Sequence, residues 1–417
     1  MLAPMTRFDR YQFDQGTVDV HAAWTTSEVR TTIEEILEHW QHRLPQDRDA
    51  RIVLKPNLNN DLVALVGNCV DLRVLCSLIE GLLNRGYRNL VLADGSNVGV
   101  DRRDIDSFKR LRVDKLRDRY GIEVLDLNKD EGLRVALHAG ARPVIARTIL
   151  ESDFLISIPK VKTHCEAGLS CAMKNWVGIC TGQEKREMHL DLGRNIFAVN
   201  EAVIPDLILV DGLVGMEGNG PGDGEPFRFG YLMASDNAFL NDLVVSRLVD
   251  MPVDQVPYLV HAIDAGHLTP ALQAQVLERV PVIRPIKRAP ARSRLAELAE
   301  ARSLFWLKKA VRPALEAPGV METAYRLKII QDVYSRVDDT ITGFHKREGV
   351  CGECTRCEDY CPTHLSAAEI GVKQDPDDCI QCLYCWWVCP KDAIELHGEL
   401  NHLARQVDRY KDLVEAF

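Results

Sequence analysis

Cys351-Gly-Glu-Cys354-Thr-Arg-Cys357-Glu-Asp-Tyr-Cys361-Pro362 and Cys379-Ile-Gln-Cys382-Leu-Tyr-Cys385-Trp-Trp-Val-Cys389-Pro390 are two copies of one pattern, 28 residues apart (379 − 351). Three thiolates separated by two residues wrap one face of an iron–sulfur cubane. The fourth, ahead of a proline that stops the local turn, points away and reaches a second cubane. The spacing therefore predicts two [4Fe–4S] clusters and one-electron chemistry. Cys351, Cys354, Cys357 and Cys389 would hold the first; Cys379, Cys382, Cys385 and Cys361 would hold the second. Zinc sites use paired cysteines or cysteine–histidine sets closed at four ligands, and the doubled run does not have that form.

This is the spacing of two-cluster bacterial ferredoxins, and it predicts a ferredoxin-like domain over residues 346–397. Trp386 and Trp387 lie inside the second run and are expected to shield a cluster from water. Between Lys346 and Glu395 there are five basic and ten acidic residues, a net of −5. An acidic surface of this kind suits a basic redox partner, or the chain's own basic segment.

The chain has 417 residues, is 46% hydrophobic and carries a net charge of −10. That length predicts two or three domains. The acidic balance argues against a nucleic-acid partner. No stretch approaches the roughly 18 apolar residues that span a bilayer, and no leader pattern is evident. Thiolate clusters persist in reducing compartments, so the expected location is the cytoplasm.

Residues 1–280 alternate strand and helix signals. Strands are expected at 51–54, 89–93, 122–125, 154–158 and 207–210. Helices are expected after Ser27, with Val29, Ile33, Ile36, Leu37 and Trp40 inward, and after Asp71. Such alternation predicts an α/β domain with a mainly parallel sheet, whose ligands sit beyond the carboxyl ends of the strands. Residues 281–345 read as a basic, proline-bearing linker followed by helical stretches at 295–311 and 322–337. The tail, 398–417 with a start near Leu396, reads as one amphipathic helix.

The densest polar chemistry outside the cysteine runs is Ile158-Pro-Lys160-Val-Lys162-Thr-His164, soon followed by Lys174-Asn175. Lysines gathered at a strand end attract a carboxylate or phosphate, and a desolvated lysine loses basicity. His164 has an unperturbed pKa near neutrality, suited to acid–base work. A glycine-rich element, Asp211-Gly-Leu-Val-Gly-Met-Glu217-Gly-Asn219, allows close approach of amides to an anion. Asp211, Glu217 and Asn219 are expected to orient substrate or a hard metal. Neither a dinucleotide fingerprint nor a P-loop is present.

With Lys55-Pro56-Asn57, Lys160-Val-Lys162-Thr163-His164, Lys174-Asn175 and Asp211-Gly212, the chain resembles the domain-of-unknown-function 362 family over about residues 50–245. It resembles the branch fused to a double-cluster ferredoxin module. The resemblance implies an α/β domain distantly similar to lactate-racemase-like proteins. The racemase-type histidine pair and nickel-pincer lysine have no matching positions here. Many relatives look exported through a twin-arginine signal, which this sequence lacks.

Together these features predict an iron–sulfur oxidoreductase fed by an electron donor such as a ferredoxin or a reductase. Its small anionic substrate would be held by Lys55, Asn57, Lys174, Asn175, Asp211, Glu217 and Asn219. Lys160, Lys162 and His164 would act on it, in reduction of an activated double bond. The alternatives are a non-catalytic electron carrier that docks a partner enzyme, and a lactate-racemase-like enzyme.

Overall fold

Ile52, Leu54, Ile156 and Leu209 face one side of a central sheet, while Val53, Leu155, Ile208 and Val210 face the other. Apolar residues on both faces at a period of two require helices on both sides. The computed structural model describes residues 7–290 and 334–417. Its strands begin with β1 (Phe8–Phe13), β2 (Gly16–Ala22), β3 (Ile52–Pro56), β4 (Leu90–Asp94) and β5 (Glu123–Asp126). A small hairpin follows, β6 (Gly132–Arg134) and β7 (Val144–Ala146). Then come β8 (Phe154–Ile158), β9 (Lys160–His164), β10 (Gly168–Ser170), β11 (Leu207–Asn219) and β12 (Asp223–Ser235).

The main sheet runs β1-β2-β12-β11-β8-β3-β4-β5, with β9 paired to β11 and β10. From β11 to β5 all neighbours are parallel. The β1-β2-β12-β11 side is antiparallel. All five strands expected from the sequence form, within one or two residues at their starts. The lysine motif, expected as a strand-end cluster, is itself strand β9. The glycine-rich element is not a loop; it continues β11 into a hairpin with β12.

Helices α1 (Thr26–His39) and α2 (Leu72–Asn84) cover one face. Helices Leu192–Ala202, Ala238–Leu248 and Pro257–Asp264 cover the other. The cap of α1 is Thr25 rather than Ser27. Its hydroxyl accepts from Glu28 N, and the Glu28 carboxylate accepts from Thr25 N, a reciprocal capping box. Asp71 caps α2 as expected.

In the C-terminal part, β13 (Thr340–Lys346) pairs with β14 (Ile394–Glu399) across the cysteine runs. Strand β14 takes the start of the tail, so the last helix is only His402–Glu415. The helical stretches expected at 295–311 and 322–337 lie outside the described residues, except 334–337, which are not helical. The cysteine-bearing part packs on the α1/α2 face: Cys357, Tyr360, Tyr384 and Trp387 share one apolar cluster with α1 and α2. Thr26 Oγ1 donates to Asp359 O at 2.9 Å. Gln406 bonds Val63 N at 2.9 Å and Asp61 O at 3.0 Å. Among the described residues, no helix is long and apolar enough to cross a membrane.

Gly67 holds the turn that carries α2 toward β11. Its φ is +81°, and an added Cβ would lie 2.1 Å from Gly215 O. Gly67→Ala is expected to cost about 2–4 kcal/mol through backbone strain and steric collision. Thermal unfolding followed by circular dichroism should show a melting temperature lower by several degrees.

Candidate functional site

Eight cysteines gather around two cavities. One is lined by Cys351, Cys354, Cys357 and Cys389. The other is lined by Cys361, Cys379, Cys382 and Cys385. Each cavity thus takes three thiols from one run and one from the other. None of these cysteines is in a disulfide. Among the described residues no three of their sulfurs lie within 4.8 Å of one another. A single zinc ion would draw thiolates to about 3.8 Å, from Zn–S bonds of about 2.3 Å in tetrahedral array. The thiols stand farther apart than one zinc ion would hold them, and four thiols are the donor set that an iron–sulfur cubane takes. Gln381 N donates to Cys379 Sγ at 3.4 Å and Ala393 N to Cys389 Sγ at 3.2 Å, the bonds that stabilise thiolate charge.

The two cavities differ in lining. Lys346, Arg356 and Lys391 border the first, each held on backbone carbonyls: Ala367 O at 2.5 Å, Phe417 O at 3.2 Å and Cys351 O at 2.9 Å. The second is lined mainly by apolar residues, among them Phe344, Leu365, Ile370 and Ile380. Despite the acidic composition of this part, its first cavity is thus bordered by cations. Trp387 is fully buried and lines a further cavity beside Cys382, at the seam with α2.

The carboxyl ends of β3, β4 and β8 bring the lysine chemistry together. Lys55 Nζ lies 2.7 Å from Asp94 Oδ1 and donates to Asn175 Oδ1 at 2.8 Å. Asn57 Nδ2 donates to the same Asn175 oxygen at 3.2 Å. A Cβ at position 178 would sit 2.6 Å from Lys55 Nζ and 2.5 Å from Asp94 Oδ1, so glycine there is what admits the pair. Lys160 Nζ donates to Asp211 Oδ2 at 2.7 Å, with both side chains fully buried. Lys162 Nζ donates to Asn57 Oδ1 at 2.9 Å and Asn68 O at 2.8 Å, neutral acceptors only. Burial pushes its pKa down to about 7, with Lys174 and Lys160 adding to the effect. Lys174, partly exposed at the end of the short helix Ala172–Asn175, is pushed down to about 8 by desolvation.

His164 is 7% exposed, and its Nδ1 accepts from Glu166 N at 3.0 Å and Ala167 N at 3.3 Å. Burial, with Lys174 next, holds its pKa well below the usual value. With Nδ1 accepting both amides, the neutral ring carries its proton on Nε2. Glu217 and Asn219 do not reach this centre. Arg284 clasps Glu217 at 2.8 and 3.0 Å, and Lys287 N donates to it at 2.9 Å, which fastens the basic linker to β11. Asn219 is exposed in the hairpin and donates to Asp223 at 3.2 Å. Lengthening β11 carried both residues away from the strand end.

Sequence reasoning missed Lys185 and Asn68. Lys185 is buried, donates to Gly95 O at 2.9 Å and Ser96 O at 2.7 Å, and is pushed down to about 8 by burial. It lies in the 3-10 stretch Gly182–Leu190, which has no sequence periodicity to expose it. The turn Asp94-Gly95-Ser96 was the available signal, since glycine leaves its carbonyl open to a cation.

A short bonded route links the two regions. Tyr384, next to Cys385, accepts through its hydroxyl from Leu72 N at 3.1 Å. The preceding residue, Asp71, donates its amide to Asp211 Oδ2 at 2.7 Å, the oxygen that holds Lys160. Burial alone would raise the Asp71 carboxyl, but Arg73 and Lys160 hold it below the usual range. Arg73, also fully buried, stacks over Tyr360 at 4.7 Å and donates to Trp24 O at 2.6 Å.

Comparison with known proteins divides the chain in the same way. Residues 52–247 match the family model described as domain of unknown function DUF362, and residues 372–395 match that of the 4Fe-4S binding domain. The thylakoid-associated protein sll1697 of Synechocystis sp. is 26% identical over 247 residues, 55% of this chain and 71% of that protein. The lactate racemase apoprotein of Thermoanaerobacterium thermosaccharolyticum aligns with 13% identity and a TM-score of 0.33, over 51% of this chain and 52% of that one. This chain thus spans about half the length of that racemase. Residues 52–247 are a DUF362 domain, and the cysteine-rich C-terminal part of the same chain contains a 4Fe-4S binding domain.

Proposed function

We propose that this chain is a cytoplasmic iron–sulfur oxidoreductase that passes electrons through two [4Fe–4S] clusters to a small anionic substrate in the α/β domain. Cys351, Cys354, Cys357 and Cys389 would hold one cluster, and Cys379, Cys382, Cys385 and Cys361 the other. Bound there, the clusters supply electrons singly, as reduction of an activated double bond requires in two steps. The observation that carries the reading is the route from Tyr384 through Leu72 and Asp71 to Asp211 and Lys160.

The lysines divide their roles by partner. Lys55 and Lys160 are neutralised by Asp94 and Asp211 and act as the rigid floor. Lys162 donates only to neutral acceptors and Lys174 is partly exposed, so they are the cations that an anion would satisfy. A lysine with a pKa of about 7 is also a competent proton donor at neutral pH. His164 contributes a neutral Nε2–H donor, and Asn57 and Asn175 fix the neighbouring ammonium groups. The cations beside the first cavity suit docking of an acidic electron donor there.

One observation favours the second reading, a non-catalytic electron carrier. Lys55, Lys160 and Lys162 are 1%, 0% and 2% exposed, so a ligand must displace packed side chains to reach them.

Two measurements separate these readings. Anaerobic purification with iron and sulfide analysis and native mass spectrometry should find about eight irons and a retained small anion, the anion being lost in Lys162→Met. Eight irons with no anion favours the carrier. The second measurement uses sulfate, whose charge is constant near neutrality. Lys162 is half-protonated at about pH 7, so above that pH the bound state must take up a proton that free protein has released. Sulfate affinity should therefore fall as pH rises from 7 to 9, by up to about tenfold per unit for each proton taken up. Calorimetry in buffers of different ionisation enthalpy should show the proton uptake, and Lys162→Met should reduce it.

A further inference from the structure

Strand β2 and helix α1 assemble a second polar cluster that the electron-transfer reading does not use. Asp19 and His21 are alternate residues of β2 and face the same side. Glu35 and His39 stand four residues apart on α1 and share a helix face. Ligand atoms of Asp19, His21 and His39 all lie within 4.8 Å of one another. Glu35 Oε2 lies 3.7 Å from His21 Nδ1. We propose that His21, His39 and Asp19 form a binding site for one divalent transition-metal ion of the zinc type, with Glu35 beside His21 Nδ1.

Two observations support it. His21 is 1% exposed, yet its Nε2 has no hydrogen-bond partner. A buried imidazole nitrogen left in that state is costly unless something satisfies it. The imidazoles are also pre-oriented: the Phe8 ring packs at 4.4 Å from His21 and 5.3 Å from His39.

Asp19 is held in place. Arg10 Nε donates to Oδ1 at 2.6 Å, Arg10 Nη2 to Oδ2 at 2.6 Å, and Trp40 Nε1 to Oδ2 at 2.9 Å. A carboxylate has about four lone-pair positions, so one remains to face an ion. Zinc bound at about 2.0–2.1 Å brings its ligand atoms to about 3.4 Å apart. The groups free to close the remaining distance are the exposed His39 and Glu35, whose side chain is 42% exposed. Imidazole with carboxylate selects zinc, cobalt or nickel rather than calcium or a thiolate-seeking ion. Bound there, the ion would tie the end of α1 to the sheet.

The test uses the anaerobically purified, cluster-containing full chain. Cobalt titration should give one ion per chain with an N/O-type visible spectrum free of thiolate charge-transfer bands. Zinc should then compete for it. His39→Ala, at an exposed position, should fold normally in the absence of metal and lower affinity at least tenfold, and Glu35→Gln should lower it less. No cobalt bound beyond thiolate sites, or binding unchanged in His39→Ala, would overturn the proposal.

Discussion

The Lys160–Asp211 ion pair is the contact on which the rest of the molecule depends. Two fully buried charges repay their desolvation only when further hydrogen bonds complete the carboxylate. Asp211 has them: the amides of Asp71 and Leu213 donate at 2.7 and 3.0 Å. Those bonds pin together β9, β11 and the first turn of α2. The same turn receives the cysteine-bearing part through Leu72 and Tyr384. Removing either charge would leave the other buried and unpaired, a loss on the order of 3–5 kcal/mol. It would also loosen the seam between the two halves of the chain.

Around that fixed pair the charge is deliberately unequal. Five lysines, at positions 55, 160, 162, 174 and 185, crowd the strand ends, while Asp94 and Asp211 supply the paired carboxylates. The surplus cations are held below their ordinary pKa because burial penalises their charge more than the nearby carboxylates Glu166 and Asp94 favour it. Such a centre is poised to gain an anion and protons together. The cysteine cavities show the complementary arrangement, with cations bordering only the first. That difference would make the two metal environments electrostatically distinct, since nearby charge and desolvation set cluster potentials.

Much of this was legible in the sequence where physical signals are local. The cysteine spacing is dictated by ligand geometry, and each cavity takes three thiols from one run and one from the other. Clustered apolar residues marked β3, β4 and β8, because strands buried on both faces need near-continuous hydrophobicity. Asp71 was readable as a cap. Strand β9 was not, because alternating lysines look like a solvated loop until Asp211 and Asn57 are known to receive them. Glu217 and Asn219 lie away from the lysine centre, because Gly212 and Gly215 admit Phe229 and Phe227 closely and let β11 run on into a long hairpin. Lys185 and Asn68 reach the centre only through tertiary packing, which leaves no local pattern.

If electrons pass from the cysteine cavity at α2 to the lysine centre, as proposed, the two are electrically coupled. Redox titration of the anaerobic protein between pH 6 and 9, followed by electron paramagnetic resonance, tests it directly. If Lys162 senses the nearer metal site, one midpoint potential should fall with rising pH across the range where Lys162 titrates. The slope should approach at most about 59 mV per unit for one electron and one proton. The other midpoint should change less, and Lys162→Met should flatten the dependence. Two midpoints that ignore pH, or a dependence unchanged in Lys162→Met, would contradict the account.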